Sequence, residues 1–153
     1  MLSVQTDVFF MKEAIKEAKK ARAAGEVPVG AVIVSQGRII ARAHNQTELL
    51  SDVTAHAEMM AITSAASYLG SKYLKQCTMF ITLEPCIMCA GALKWAQLGK
   101  VVYGASDDQK GFMLYGKELL HSKTKLEFGV LYDECSQLLK DFFDERRRLK
   151  KNI

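Results

Sequence analysis

Apolar positions along this chain recur at two different periods, and the switches between them mark out its elements. In "DVFFMKEAIKEAKKARAA", Met11, Ala14, Ile15, Ala18 and Ala21 fall on one face, with lysines and glutamates opposite. That spacing predicts a helix over residues 7–24, ended by Gly25. "VPVGAVIVS" and "RIIARAHN" are β-branched runs joined by Gln36-Gly37, which predicts a hairpin. "TELLSDV" reads as a loop, with Asp52 or Thr54 placed to cap a second helix from about 55 to 69 that Gly70 ends. "TMFITL" is a short buried strand. "PCIMCAGALKWAQLG" is a third helix, opened by Pro85 and closed by Gly99. "KVVYGA" and "KLEFGVL" add a fourth and a fifth strand, and between them "FMLYGKELL" is either a short helix or a lid. Leu131, Cys135, Leu138, Leu139 and Phe142 form the stripe of a C-terminal helix over about 131–151. Strands alternating with helices after an opening hairpin argue for an α/β/α layered domain.

Composition narrows the class. The 153 residues fit one domain with a sizeable core, and 49% hydrophobic with 25% charged is a globular balance. No apolar run approaches the roughly 18 residues of a membrane span. "MLSVQTDVFFMKEAIKEAKK" does not resemble a secretory signal, so a cytoplasmic protein is expected. The net charge is +4. Six basic residues (Lys140, Arg146, Arg147, Arg148, Lys150, Lys151) against three acids (Asp141, Asp144, Glu145) put +3 of it in the tail. Such a tail suits an acidic polymer such as nucleic acid; equally, it suits a solvated helix end whose cations complement the helix dipole.

Four cysteines remain to be placed: Cys77, Cys86, Cys89 and Cys135. A disulfide framework is not expected without export. Cys86 and Cys89 form C-x-x-C, a spacing for metal binding or redox work. Three apart at a helix start, they share a face, and the helix N-terminus favours thiolates. His56, at the start of another helix, supplies a third ligand for a tetrahedral zinc site with one open position, as in catalytic zinc. Glu58 lies two residues beyond His56, where it would not bind the same metal but would reach the open position and handle a proton there. H-x-E alone says little, and C-x-x-C alone leaves metal binding and redox work both open. Together, H-x-E…P-C-x-x-C is the known signature of zinc nucleobase deaminases.

"EVPVGAVIV", "HN", "TAHAE", "LEPCIMCAGA", "VVYGA" and "DFFDERRR" together resemble the bacterial tRNA-specific adenosine deaminases, over nearly the whole chain. The resemblance implies a cytidine deaminase-like fold, three layers with a five-stranded mixed sheet and helices on both faces. It implies zinc-dependent hydrolytic deamination of adenosine to inosine at the wobble position of tRNA. His56, Cys86 and Cys89 would hold one Zn2+ per subunit, and Glu58 would be the proton shuttle. Asn45 would bond the base, Val29 would line its pocket, and the backbone around Ala57 would lie near the exocyclic amine. Asp107 would touch the nucleotide backbone, while Phe143, Arg146 and Arg147 would grip the anticodon loop. Family members are homodimers. The chain departs from the family pattern in "QKGFMLYGKEL" and "HSKTKLEF", both where substrate loops would be.

Three other functions fit parts of the pattern: a deaminase of free guanine, cytosine or a nucleoside; a C-x-x-C redox protein; and an RNA-binding module without catalysis. The remaining candidates have simpler roles. His44 reads as a strand residue, His121 as solvated or in contact with substrate, and Cys77 and Cys135 as packing. Trp95 and Met88 read as third-helix core or a dimer interface.

Overall fold

Alternation along the strands decides the architecture. The protein, seen here as a computed structural model, is described over residues 6–152. Its elements run α1 (Asp7–Ala23), β1 (Gly30–Ser35), β2 (Arg38–His44), α2 (Ala57–Leu69), β3 (Cys77–Leu83), α3 (Ile87–Ala96), β4 (Lys100–Ala105), β5 (Lys125–Phe128) and α4 (Tyr132–Lys151). The five strands form one mixed sheet, in the order β2-β1-β3-β4-β5. β1 pairs antiparallel with β2 and β3, while β3–β4 and β4–β5 are parallel.

Ala31, Ile33, Met79, Ile81, Val101 and Tyr103 face one way and pack on Ala57, Ala61, Ala65, Ala90 and Leu93, so α2 and α3 cover that side. Val32, Val34, Phe80 and Val102 face the other way and meet Phe10, Met11, Ala14 and Ile15 of α1 and Cys135 of α4. A sheet buried on both faces needs apolar residues at both parities, and the strand sequences supply them. The expected three layers and five-stranded mixed sheet are therefore present.

Several boundaries differ from expectation, each for a local reason. β1 begins at Gly30, not at the preceding "VPV". Pro28 has no N–H for a ladder. A Cβ at residue 30 would overlap the Ala14 carbonyl and the Ala18 amide, so glycine lets α1 press against β1. The hairpin turn at Gln36-Gly37 takes positive φ at both residues (51° and 77°), the geometry that matches strand twist. α2 starts two residues later than expected, with His56 as N-cap. Asp52 Oδ1 instead accepts from the Thr54 amide (2.8 Å) and hydroxyl (2.7 Å), making a turn, not a cap. α3 ends at Gln97 in a left-handed conformation (φ 56°), short of Gly99. Residues 106–124 hold no α-helix: "FMLYGKELL" forms two 3-10 turns, Phe112–Leu114 and Lys117–Leu119. Trp95 is 82% exposed, so it is not third-helix core.

Candidate active site

The two helices on one face of the sheet start at the same place. Cys86 is the N-cap of α3 and His56 the N-cap of α2, both in extended backbone, and neither side chain makes a cap hydrogen bond. They turn toward each other instead. His56 Nδ1 lies 3.7 Å from Cys86 Sγ and 3.4 Å from Cys89 Sγ. The donor atoms of these three residues all fall within 4.8 Å of one another. A tetrahedral zinc with Zn–N near 2.0 Å and Zn–S near 2.3 Å sets N···S at about 3.5 Å. The side chains are thus already at zinc-binding distances, and the donor set fits the ion.

Electrostatics favour a cation here. Both helix N-termini aim partial positive charge at the sulfurs, which stabilises thiolate. A hydrogen bond from Cys89, opposed by burial and joined by His56, pulls the Cys86 thiol down to about 4. Cys89 is pushed up by that same bond to Cys86 and by burial. The pair thus favours negative charge on the Cys86 sulfur, where a cation would be held.

Glu58 sits in the first turn of α2, 4% exposed, on the wall of an open cleft of about 770 Å³. Burial pushes its carboxyl up to about 7, so it can accept or donate a proton near neutrality. The two-residue gap from His56 is explained by the N-cap: His56 precedes the helical spiral, so the gap is not two helical steps.

The cleft also takes Val29, Asn45, Cys86, Asp107 and Phe143 into its walls. Asn45 Oδ1 accepts from the Ala57 amide at 2.8 Å, which leaves its NH2 for a ligand. Ala57 itself is fully buried and off the wall, and its N–H is committed to Asn45. Its amide fixes Asn45. Asp107 accepts from the amides of Gln109 and Lys110, both at 3.0 Å. Phe143 is 43% exposed, as the edge of the apolar stripe allowed. Arg146 and Arg147 lie outside the cleft lining. Arg146 lies 4.8 Å from the Phe142 ring centroid and donates to the Gly25 carbonyl, while Arg147 pairs with Asp144.

Two buried carboxylates were not among the expected site residues. Glu26 accepts from the amides of Glu48 (3.0 Å) and Leu49 (2.9 Å) and from the Thr47 hydroxyl (3.3 Å), holding the loop after β2. Glu84 accepts from the amides of Asp107 (3.1 Å) and Met113 (3.0 Å), holding the loop after β4. Each is an acid beside Val-Pro or Pro-Cys in an otherwise apolar stretch, a signal present in "AAGEVPVG" and "ITLEPC". Lys140 and Lys110 were also unassigned, and both line the cleft.

Comparison with known proteins bears on what such a site does. Residues 4–105 match the cytidine and deoxycytidylate deaminase zinc-binding region. The chain is 45% identical over 150 residues to the tRNA-specific adenosine deaminase of Aquifex aeolicus, covering 95% of this chain and 97% of that one. It is 47% identical to the enzyme of the same name from Bacillus subtilis, covering 95% and 93%. A solved structure from work on A-to-I editing by tRNA:A34 deaminases at the wobble position of transfer RNA superposes with a TM-score of 0.80. It is 38% identical and covers 85% of this chain and 98% of that one.

Proposed function

Because the chain belongs to the cytidine and deoxycytidylate deaminase zinc-binding family, among its tRNA-specific adenosine deaminases, we propose that it converts the wobble adenosine of tRNA to inosine. The observation that carries this is the half-shell of His56, Cys86 and Cys89 at zinc-binding distances, with Glu58 beside it in a cleft. His56, Cys86 and Cys89 hold one zinc per subunit; bound zinc makes water available as a nucleophile near neutral pH, by lowering its pKa toward about 7.

The chain's own residues do the rest. Glu58 takes one proton from the attacking water and delivers it to N1 of the base, which makes C6 electrophilic. It then carries the second water proton to the amine on C6, which leaves as ammonia while the oxygen stays as the C6 carbonyl. Asn45, fixed by Ala57, presents its NH2 to the base. Val29 packs against the ring, and Asp107 approaches the nucleotide backbone. Phe143 offers a face for a neighbouring base to stack on, a contact of about 1–3 kcal/mol in single-stranded sites. A base extruded from the anticodon loop would enter this open cleft with little unpairing to overcome.

The protein works in the cytoplasm as a homodimer. Ile87 (53% exposed) and Trp95 (82%), two turns apart on α3, support a self-contact there. None of the described helices is long and apolar enough to cross a membrane. The redox reading of Cys86-x-x-Cys89 leaves His56 and Glu58 without a role.

The deciding assay compares inosine formation in an anticodon stem-loop with ammonia release from free guanine, cytosine and nucleosides. Inosine in the stem-loop alone is expected. Turnover of the free bases with none of the stem-loop would replace this reading with that of a free-base deaminase.

A further inference from the structure

Glu84 is a buried carboxylate, 5% exposed, for which the reaction above has no use. It lies between the end of β3 and Cys86, so its backbone belongs to the segment that delivers a metal ligand. Its side chain belongs to the opposite wall. One oxygen accepts from the Asp107 amide at 3.1 Å and the other from the Met113 amide at 3.0 Å. Those two amides open and close the turn that carries Asp107, Gln109 and Lys110. Further bonds tie the same two segments together. The Phe112 amide donates to the Pro85 carbonyl at 2.9 Å, and Cys86 bridges Gly111. A Cβ at residue 111 would overlap both Glu84 Oε2 and the Asp107 carbonyl, so glycine is what lets the carboxylate pass under the turn.

We propose that Glu84 is a positioning residue for the reaction: a two-pronged clamp that sets the substrate-facing turn 107–113 at a fixed distance from Cys86. A carboxyl group is the side chain suited to this, since it offers two oxygens on one plane and each takes one N–H. Gln keeps only one accepting oxygen and turns an NH2 toward the second amide. Asp keeps both acceptors on a stem one methylene shorter. The clamp therefore acts through Asp107 on the nucleotide, not on the metal.

The test rests on the deaminase reading, and its design separates failure of the one from failure of the other. It uses whichever substrate of the stem-loop and free-base panel the parent chain turns over. Glu84→Gln should keep the parent's zinc content and lower kcat/KM by about 10- to 100-fold, as displaced positioning groups do, chiefly through KM. Amides of 107–113 should exchange with solvent faster. In an Asp107→Ala background the same substitution should cost less than about threefold, because a residue that works through another loses its effect when that other is gone. Glu84→Asp should restore part of the activity. Equal losses in both backgrounds, or loss of zinc with KM unchanged, would overturn the clamp. If Glu84→Gln does not fold, Glu84→Asp measured with and without Asp107→Ala closes the same cycle: a loss that vanishes without Asp107 supports the clamp, and an equal loss overturns it.

Discussion

Glu58 is where a single atom change separates chemistry from structure. Glu58→Gln keeps size and burial but cannot carry a proton. It should retain zinc by elemental analysis and lose at least about 10²-fold in turnover, the scale of a general acid–base contribution. His56→Ala or Cys86→Ala should lose the metal itself. Glu26 makes a different prediction, about acid. Burial alone would raise its carboxyl, but the Glu48 and Leu49 amides and the Thr47 hydroxyl outweigh that and hold it below its usual value. A carboxyl lowered in the folded state stabilises fully above the ordinary value of 4.5, and that stability fades as pH falls below it. Glu26→Gln should therefore be less stable at pH 7 and show a shallower loss on acidification, read from urea melts at several pH values. A flat difference across pH would sink this assignment. The grouping of His56, Cys86 and Cys89 was legible in the sequence because His and Cys are few here, three and four, and sit at a metal-ligand spacing; Glu58 stood out only by its place two residues after His56. The partners of Ala57 and Arg146 were not legible, because they lie far away in sequence. Ala57 is bound to Asn45, twelve positions away, and Arg146 reaches the Gly25 carbonyl across 121.

At the scale of elements, apolar period located every helix and strand, because both parities of β1, β3 and β4 are apolar and the helices carry one stripe each. Element ends were less legible, since they answer to backbone geometry that period does not carry. The late start of α2 comes from His56 occupying the cap, and the early end of α3 from Gln97 accepting a left-handed turn. Gly30 is the sharpest case. It reads as an ordinary strand glycine, yet it marks where the α1 backbone touches β1. Gly30→Ala should cost about 1–3 kcal/mol, the range for overpacking, visible as a lower urea midpoint with unchanged zinc content. A loss under about 0.5 kcal/mol would mean that α1 slides away freely.

At the scale of the whole molecule, sequence reached the fold class and the metal but only part of the cleft, whose walls come from six separate stretches between Val27 and Phe143. Lys140 shows the gap. It was counted only as part of a basic tail, yet the fold sets it on the cleft wall beside Leu139 and Phe143. Lys140→Ala should weaken stem-loop binding and flatten the plot of log K against log salt by about 0.7–0.9, one phosphate contact's worth. An unchanged slope would place Lys140 away from phosphate. Trp95→Asp should shift the protein toward monomer in sedimentation if α3 is the self-contact. The two helix starts have a consequence of another kind. Helix N-caps normally bond their own first turn, worth about 1 kcal/mol each, and here neither His56 nor Cys86 does so. A zinc ion shared between them would supply that restraint, so each tenfold rise in free zinc above its dissociation constant should add about 1.4 kcal/mol to folding stability. Chelation should lower the melting temperature as well as stop turnover. In a cell short of zinc, unloaded chains would unfold and be degraded more often, so scarcity would be read out as fewer molecules.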